Sequence, residues 1–116
     1  MASKPVRADT LGEFEQSIML AVVHLSDDAY GVTIQKEVEA RTGRDVVLGA
    51  LYTTLTRLED KGFVRSYMSD PTPVRGGRSK RFFSLTREGA TALKECRGRL
   101  ERMWEGLTSD LRRSRP

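Results

Sequence analysis

Gly49-Ala50-Leu51-Tyr52-Thr53-Thr54-Leu55-Thr56-Arg57-Leu58-Glu59-Asp60-Lys61-Gly62-Phe63-Val64 carries a helix and the start of a strand in one run. At about 100° per residue, Leu51, Leu55 and Leu58 share one face, so a helix from about Leu48 to Lys61 buries that side. Gly49, Thr53, Thr56 and Arg57 fall on the opposite side, with Tyr52 on the flank. Gly62 stops the helix. Phe63 to Ser69 then alternates and is rich in aromatic and β-branched residues, which predicts a strand. In that strand Phe63, Tyr67 and Ser69 fall on one side and Val64, Ser66 and Met68 on the other.

Upstream, Thr10 stands three residues before Glu13, the spacing of a capping box. Leu11, Phe14, Ile18, Ala21, Val22 and Leu25 follow at helical steps, up to the turn-forming Ser26-Asp27-Asp28. A shorter helix opens at Gly31, carries Ile34 and Val38 on one face, and closes at Gly43. Asp45-Val46-Val47 reads as a brief extended link. Downstream, Asp70-Pro71-Thr72-Pro73 cannot continue a ladder, and Gly76-Gly77 is permissive. Arg81 to Leu85 resumes as a strand, so the pair forms a hairpin with a long tip. Thr86 caps a final helix. Along it Leu93, Cys96, Leu100, Met103, Leu107 and Leu111 form a near-heptad seam.

The expected fold is mainly α with a small β-hairpin wing: a winged helix-turn-helix with a long C-terminal helix. Residues 1–9 are expected to be a flexible arm, 10–85 the winged helix-turn-helix domain, and 86–113 a dimerisation helix.

The chain has 116 residues, 38% hydrophobic and 31% charged, with a net charge of +4. That length is expected to hold one domain, without a second catalytic or ligand domain. The first ten residues, MASKPVRADT, contain no apolar segment of the signal-peptide kind. The longest apolar run, Ile18 to Val23, is too short to span a bilayer. The single cysteine, Cys96, allows no intrachain disulfide and no cysteine-based metal site. The expected compartment is the cytoplasm, with no membrane partner.

Three features point to DNA. A pair of short helices, the second bearing small and hydroxyl residues outward, fits a major groove. On its own that face reads equally well as an ordinary solvated one. From Pro71 to Arg87 there are five basic residues (Arg75, Arg78, Lys80, Arg81, Arg87) and no acidic one. Such a cluster neutralises phosphates and displaces counterions. The bland alternative is a solubilising loop that protects a sheet edge. The C-terminal seam has nowhere to bury itself in so small a domain, so it predicts a two-fold homodimer. Packing against the first helix of the same chain is the competing arrangement.

Other residues carry the plainer meaning. His24 stands alone and reads as structural rather than as a metal ligand. Cys96 reads as a small seam hydrophobe rather than a redox switch. Glu13, Glu15, Glu37 and Glu39 read as solvated helix charges. No nucleophile–base pair, metal cluster or phosphate cradle appears, so no enzyme activity, metal or cofactor is expected. The alternative to a DNA reader is a winged-helix protein-interaction module.

The run at 49–64, with Tyr30-Gly31-Val32-Thr33-Ile34 before it and Gly77-Arg78-Ser79-Lys80-Arg81-Phe82-Phe83-Ser84-Leu85-Thr86-Arg87-Glu88-Gly89 behind it, resembles the PadR family over about residues 10–107. The resemblance implies a dimeric transcriptional regulator, in most cases a repressor, bound to an operator in double-stranded DNA. It implies groove contacts from Gly49, Ala50, Tyr52 and Thr53, with Arg57 nearby. It implies wing contacts from Arg75, Arg78, Lys80 and Arg81, and a phosphate contact from Thr33 or Gln35. It further implies that the last helix crosses to the partner and packs on its first helix, which places Phe14, Ile18, Leu93, Cys96, Leu100, Met103, Trp104 and Leu107 at the dimer interface. Trp104 then reads either as dimer core or, with Phe14, Ile18 and Met103, as the wall of a pocket for a small planar effector. The short chain fits the subgroup with one C-terminal helix. Leu48 departs from the family pattern, since it offers no side-chain cap to the reading helix.

Overall fold

The computed structural model describes residues 11–69 and 79–107. The elements are α1 (Glu13–Leu25), a single 3-10 turn (Ser26–Asp28), α2 (Gly31–Thr42), α3 (Leu48–Asp60), β1 (Val64–Met68), β2 (Arg81–Leu85) and α4 (Arg87–Trp104). The order is the expected one. The arm, Thr10, most of the hairpin tip including Arg75 and Arg78, and Leu111 lie outside the described residues.

The apolar stripes read from the sequence meet in one core. Ile18, Met19, Ile34, Leu51, Leu55, Leu58 and Phe83 are almost completely buried. Ile18 was expected at the partner surface and in the effector pocket. It is 0% exposed, inside the subunit's own core, and so is available to neither.

α1 starts later than the Thr10 and Glu13 spacing implied. Gly12 is its N-cap, and the carboxylate that reaches back is Glu15, whose Oε1 accepts the Gly12 N–H at 2.9 Å. Glu15 is also buried, not solvated: its Oε2 accepts from Lys61 Nζ at 3.0 Å, tying the start of α1 to the end of α3. Burial alone would raise its pKa. The Gly12 N–H, the Lys61 ammonium and the more distant Arg57 outweigh that, and the carboxyl is held below its ordinary 4.5. A depressed pKa contributes stability that is complete above the unfolded value and is lost as pH falls through the folded one. Glu15→Gln should therefore lower the denaturation midpoint at neutral pH, and the gap to wild type should close in acid. Urea titrations of both proteins between about pH 7 and pH 3 test this. A gap independent of pH would mean that the carboxylate charge contributes nothing.

The hairpin is antiparallel, with Val64 opposite Leu85 and Ser66 opposite Phe83. Phe83 N–H donates to the Ala29 carbonyl at 2.8 Å, so the link before α2 lies along the β2 edge. Val64 and Phe83 face the core. Phe63 does not belong with Tyr67, as the alternation suggested: it precedes the strand and is buried, whereas Tyr67 is exposed.

Thr86 caps α4 as expected, accepting the Gly89 N–H at 3.0 Å. The first turns dock on the core through Gly89 and Ala92, with Leu93 and Cys96 packed against it. The helix is shorter than the 86–113 expected. It ends at Trp104, where Gly106 takes φ +75° and Leu107 N–H turns back to the Trp104 carbonyl at 3.0 Å. Leu107 therefore lies past the helix rather than on its seam. No described helix is long and apolar enough to cross a membrane.

Candidate nucleic-acid interface

The start of α3 is set by α2. Val46 is buried, and α2 side chains hold both of its backbone polar groups. Gln35 Nε2 donates to its carbonyl at 2.7 Å, and Glu39 Oε2 accepts its N–H at 2.9 Å. Gln35, a candidate phosphate contact, thus has one amide N–H committed inside the fold, and Glu39 is not merely solvated. Thr33 is similarly engaged. Its hydroxyl accepts the Tyr30 N–H at 2.9 Å and donates to the Asp28 carbonyl at 2.5 Å, closing the first turn of α2. Gln35 thus shapes the turn that presents α3, and Thr33 the turn that starts α2.

α3 begins at Leu48 with Val47 as N-cap and no side-chain capping bond. Its outer face exposes Gly49, Ala50, Tyr52, Thr53, Thr56 and Arg57. The first acids come at the far end. Glu59 accepts from Ser66 Oγ at 2.8 Å and from Arg81 Nη2 at 2.5 Å, and only Asp60 is left exposed. The Ser66 hydroxyl, opposed by partial burial and reinforced by Arg81, holds the Glu59 carboxyl below its ordinary pKa.

Tyr52 is not free on the flank. Its ring lies over Gly31, where a Cβ would come 2.0 Å from the phenol oxygen. Glycine leaves that space to the ring, and a larger residue would have to push the Tyr52 side chain aside. At the other side of the same turn, Lys80 Nζ lies 4.4 Å from the Tyr30 ring centroid, and Tyr30 meets Phe82 edge-on at 5.4 Å. The base of the wing and the outer face of α3 therefore converge on Tyr30 and Gly31.

Of the wing cations, Lys80 is exposed beside that junction. Arg81 is paired with Glu59 and stacks 5.2 Å from the Phe83 ring centroid, so its charge is compensated within the fold. Sequence reasoning missed that pairing, and it also passed over Val47. The signal for Val47 was its place directly before a helix that has no polar cap.

The other candidate surface is the end of α4. Leu100 is 61% exposed, Met103 71% and Trp104 52%. Phe14 is half-buried and lines a narrow cleft of about 30 Å³ with Ser17, Val38 and Val46.

A family model described as the transcriptional regulator PadR-like family matches residues 19–95. Among solved structures, a PadR family transcription regulator from Clostridium difficile is 24% identical with a TM-score of 0.67, over 84% of this chain and 98% of that one. A PadR-like transcription factor from Bacteroides fragilis is 27% identical with a TM-score of 0.59, over 86% and 87%. A PadR family transcriptional regulator from Eggerthella lenta is 24% identical with a TM-score of 0.63, over 85% and 86%. No curated protein matches the chain significantly.

Proposed function

The chain belongs to the PadR-like family of transcriptional regulators, and from that premise we propose that it is a cytoplasmic repressor that binds an inverted-repeat operator as a homodimer. The observation that carries this reading is the outer face of α3, exposed from Gly49 to Arg57 and free of acids, beside the exposed Lys80. Small side chains admit close approach to the base edges, and the cations meet phosphates. Arg75 and Arg78 would extend the contact along the wing. A dimer would set two α3 helices into successive major grooves about 34 Å apart and so occlude a promoter.

The exposed Leu100, Met103 and Trp104 supply the surface for the second copy. A small planar effector would bind at Trp104. Residues of the second copy would complete such a pocket.

Binding to duplex DNA of the protein's own upstream region, measured over a salt series, tests the DNA reading. Each phosphate contact contributes about 0.9 to the log–log salt slope. Arg57→Ala with Lys80→Ala removes up to two contacts per subunit, so the slope of the dimer should fall by about 3 to 4. An unchanged slope would remove these residues from the interface. Absence of binding even to random duplex at low salt would leave a protein-interaction module instead.

A further inference from the structure

Val47 is 71% exposed, among the most exposed large apolar side chains described. Its neighbour Val46 is buried and clamped through both backbone polar groups, so the exposure of Val47 is built into the turn that starts α3. Beside it, Ala50 and Thr53 are exposed, and nothing lies within 4 Å of where a Cβ on Gly49 would be. The Thr53 hydroxyl already donates to the Gly49 carbonyl at 3.0 Å.

From Val47 to Thr56 the chain contains no Arg, Lys, Asn, Gln, Asp or Glu. Paired hydrogen bonds to guanine need Arg or Lys, those to adenine need Asn or Gln, and cytosine is read by an acid. None of these is available along this part of α3. The Thr53 and Thr56 hydroxyls can bond to any base edge and so discriminate little; the remaining direct contact that selects one base is apolar, and only thymine offers an apolar group there, its 5-methyl. We propose that Val47, with Ala50 and Thr53 beside it, is a specificity-determining residue that reads thymine methyl groups in each half-site. This rests on the reading of α3 as the groove helix.

The test begins with a duplex selected by the wild-type protein from random-sequence DNA. That duplex is resynthesised with deoxyuridine at each thymidine in turn, which removes the methyl and nothing else. Burying one methyl is worth about fourfold in affinity. Wild type should lose about fourfold at one or two positions per half-site. Val47→Ala should bring that ratio close to one at the same positions, with its thermal midpoint little changed because most of the side chain stands in solvent. Equal affinity of wild type for the thymine and uracil duplexes would overturn the proposal while leaving sequence-specific binding intact. So would a Val47→Ala protein that keeps the full thymine preference. Failure of wild type to enrich any sequence would overturn the operator-specific reading, and this inference with it.

Discussion

Leu100→Glu combined with Met103→Glu should yield a folded monomer whose operator affinity is about 100- to 1,000-fold below wild type. Both side chains stand mostly in solvent within one subunit, so charging them removes nothing from its core. In a dimer they would be buried, where each apolar side chain is worth about 1.5–3 kcal/mol and an unpaired carboxylate costs more than that gain. Two half-sites held by one dimer reinforce each other through effective concentration, and separate monomers lose that advantage. Sedimentation equilibrium reads the assembly state, circular dichroism the fold, and a titration with the operator the affinity. A variant that remains dimeric would show that the two copies meet elsewhere.

The second large effect concerns stability. Gly89→Ala should destabilise the protein by about 2–3 kcal/mol, lowering the thermal midpoint by roughly 10 °C. Helix propensity by itself argues the other way, since alanine is favoured over glycine by about 1 kcal/mol inside a helix. Contact geometry decides the sign. A Cβ at Gly89 would lie 2.2 Å from the Phe63 carbonyl oxygen and 2.9 Å from Leu85 Cδ1. The oxygen belongs to backbone that cannot easily give way: it accepts the Thr86 N–H at 3.0 Å, and the Phe63 N–H donates to the Leu58 carbonyl at 3.0 Å. Relief requires lifting the first turn of α4 off the core. A calorimetric midpoint at or above that of wild type would show that the turn moves freely. The clash at Gly31 differs in kind, because the obstructing atoms are the end of the Tyr52 side chain, which can swing aside.

Much of this architecture follows from relations between residues three or four apart. The spacing of Leu51, Leu55 and Leu58 was enough to place α3, and Thr86 with Gly89 was enough to place the start of α4. The hydroxyl and small residues on the outer face of α3 were equally legible, because a helix with a buried leucine stripe has only one other side. The motif around these elements carried the family. The seam of α4 was legible as a pattern but not in its length, because the turn at Gly106 interrupts it before Leu107.

What the sequence alone determined, then, was the set of elements, their order and which face of the first three helices turns inward, since these depend on local periodicity and capping. The tertiary structure alone decided the fate of individual polar groups. Glu15 finds Lys61 across 46 positions and Arg81 finds Glu59 across 22, so a charge that reads as solvated is buried and one that reads as available is paired. Gln35 is drawn to Val46 in the same way, and Ile18 moves from a supposed interface to the core. The physical reason is one of distance: helical periodicity constrains neighbours along the chain, whereas a carboxylate or an amide is satisfied by whichever partner the packing of several elements brings within about 3 Å.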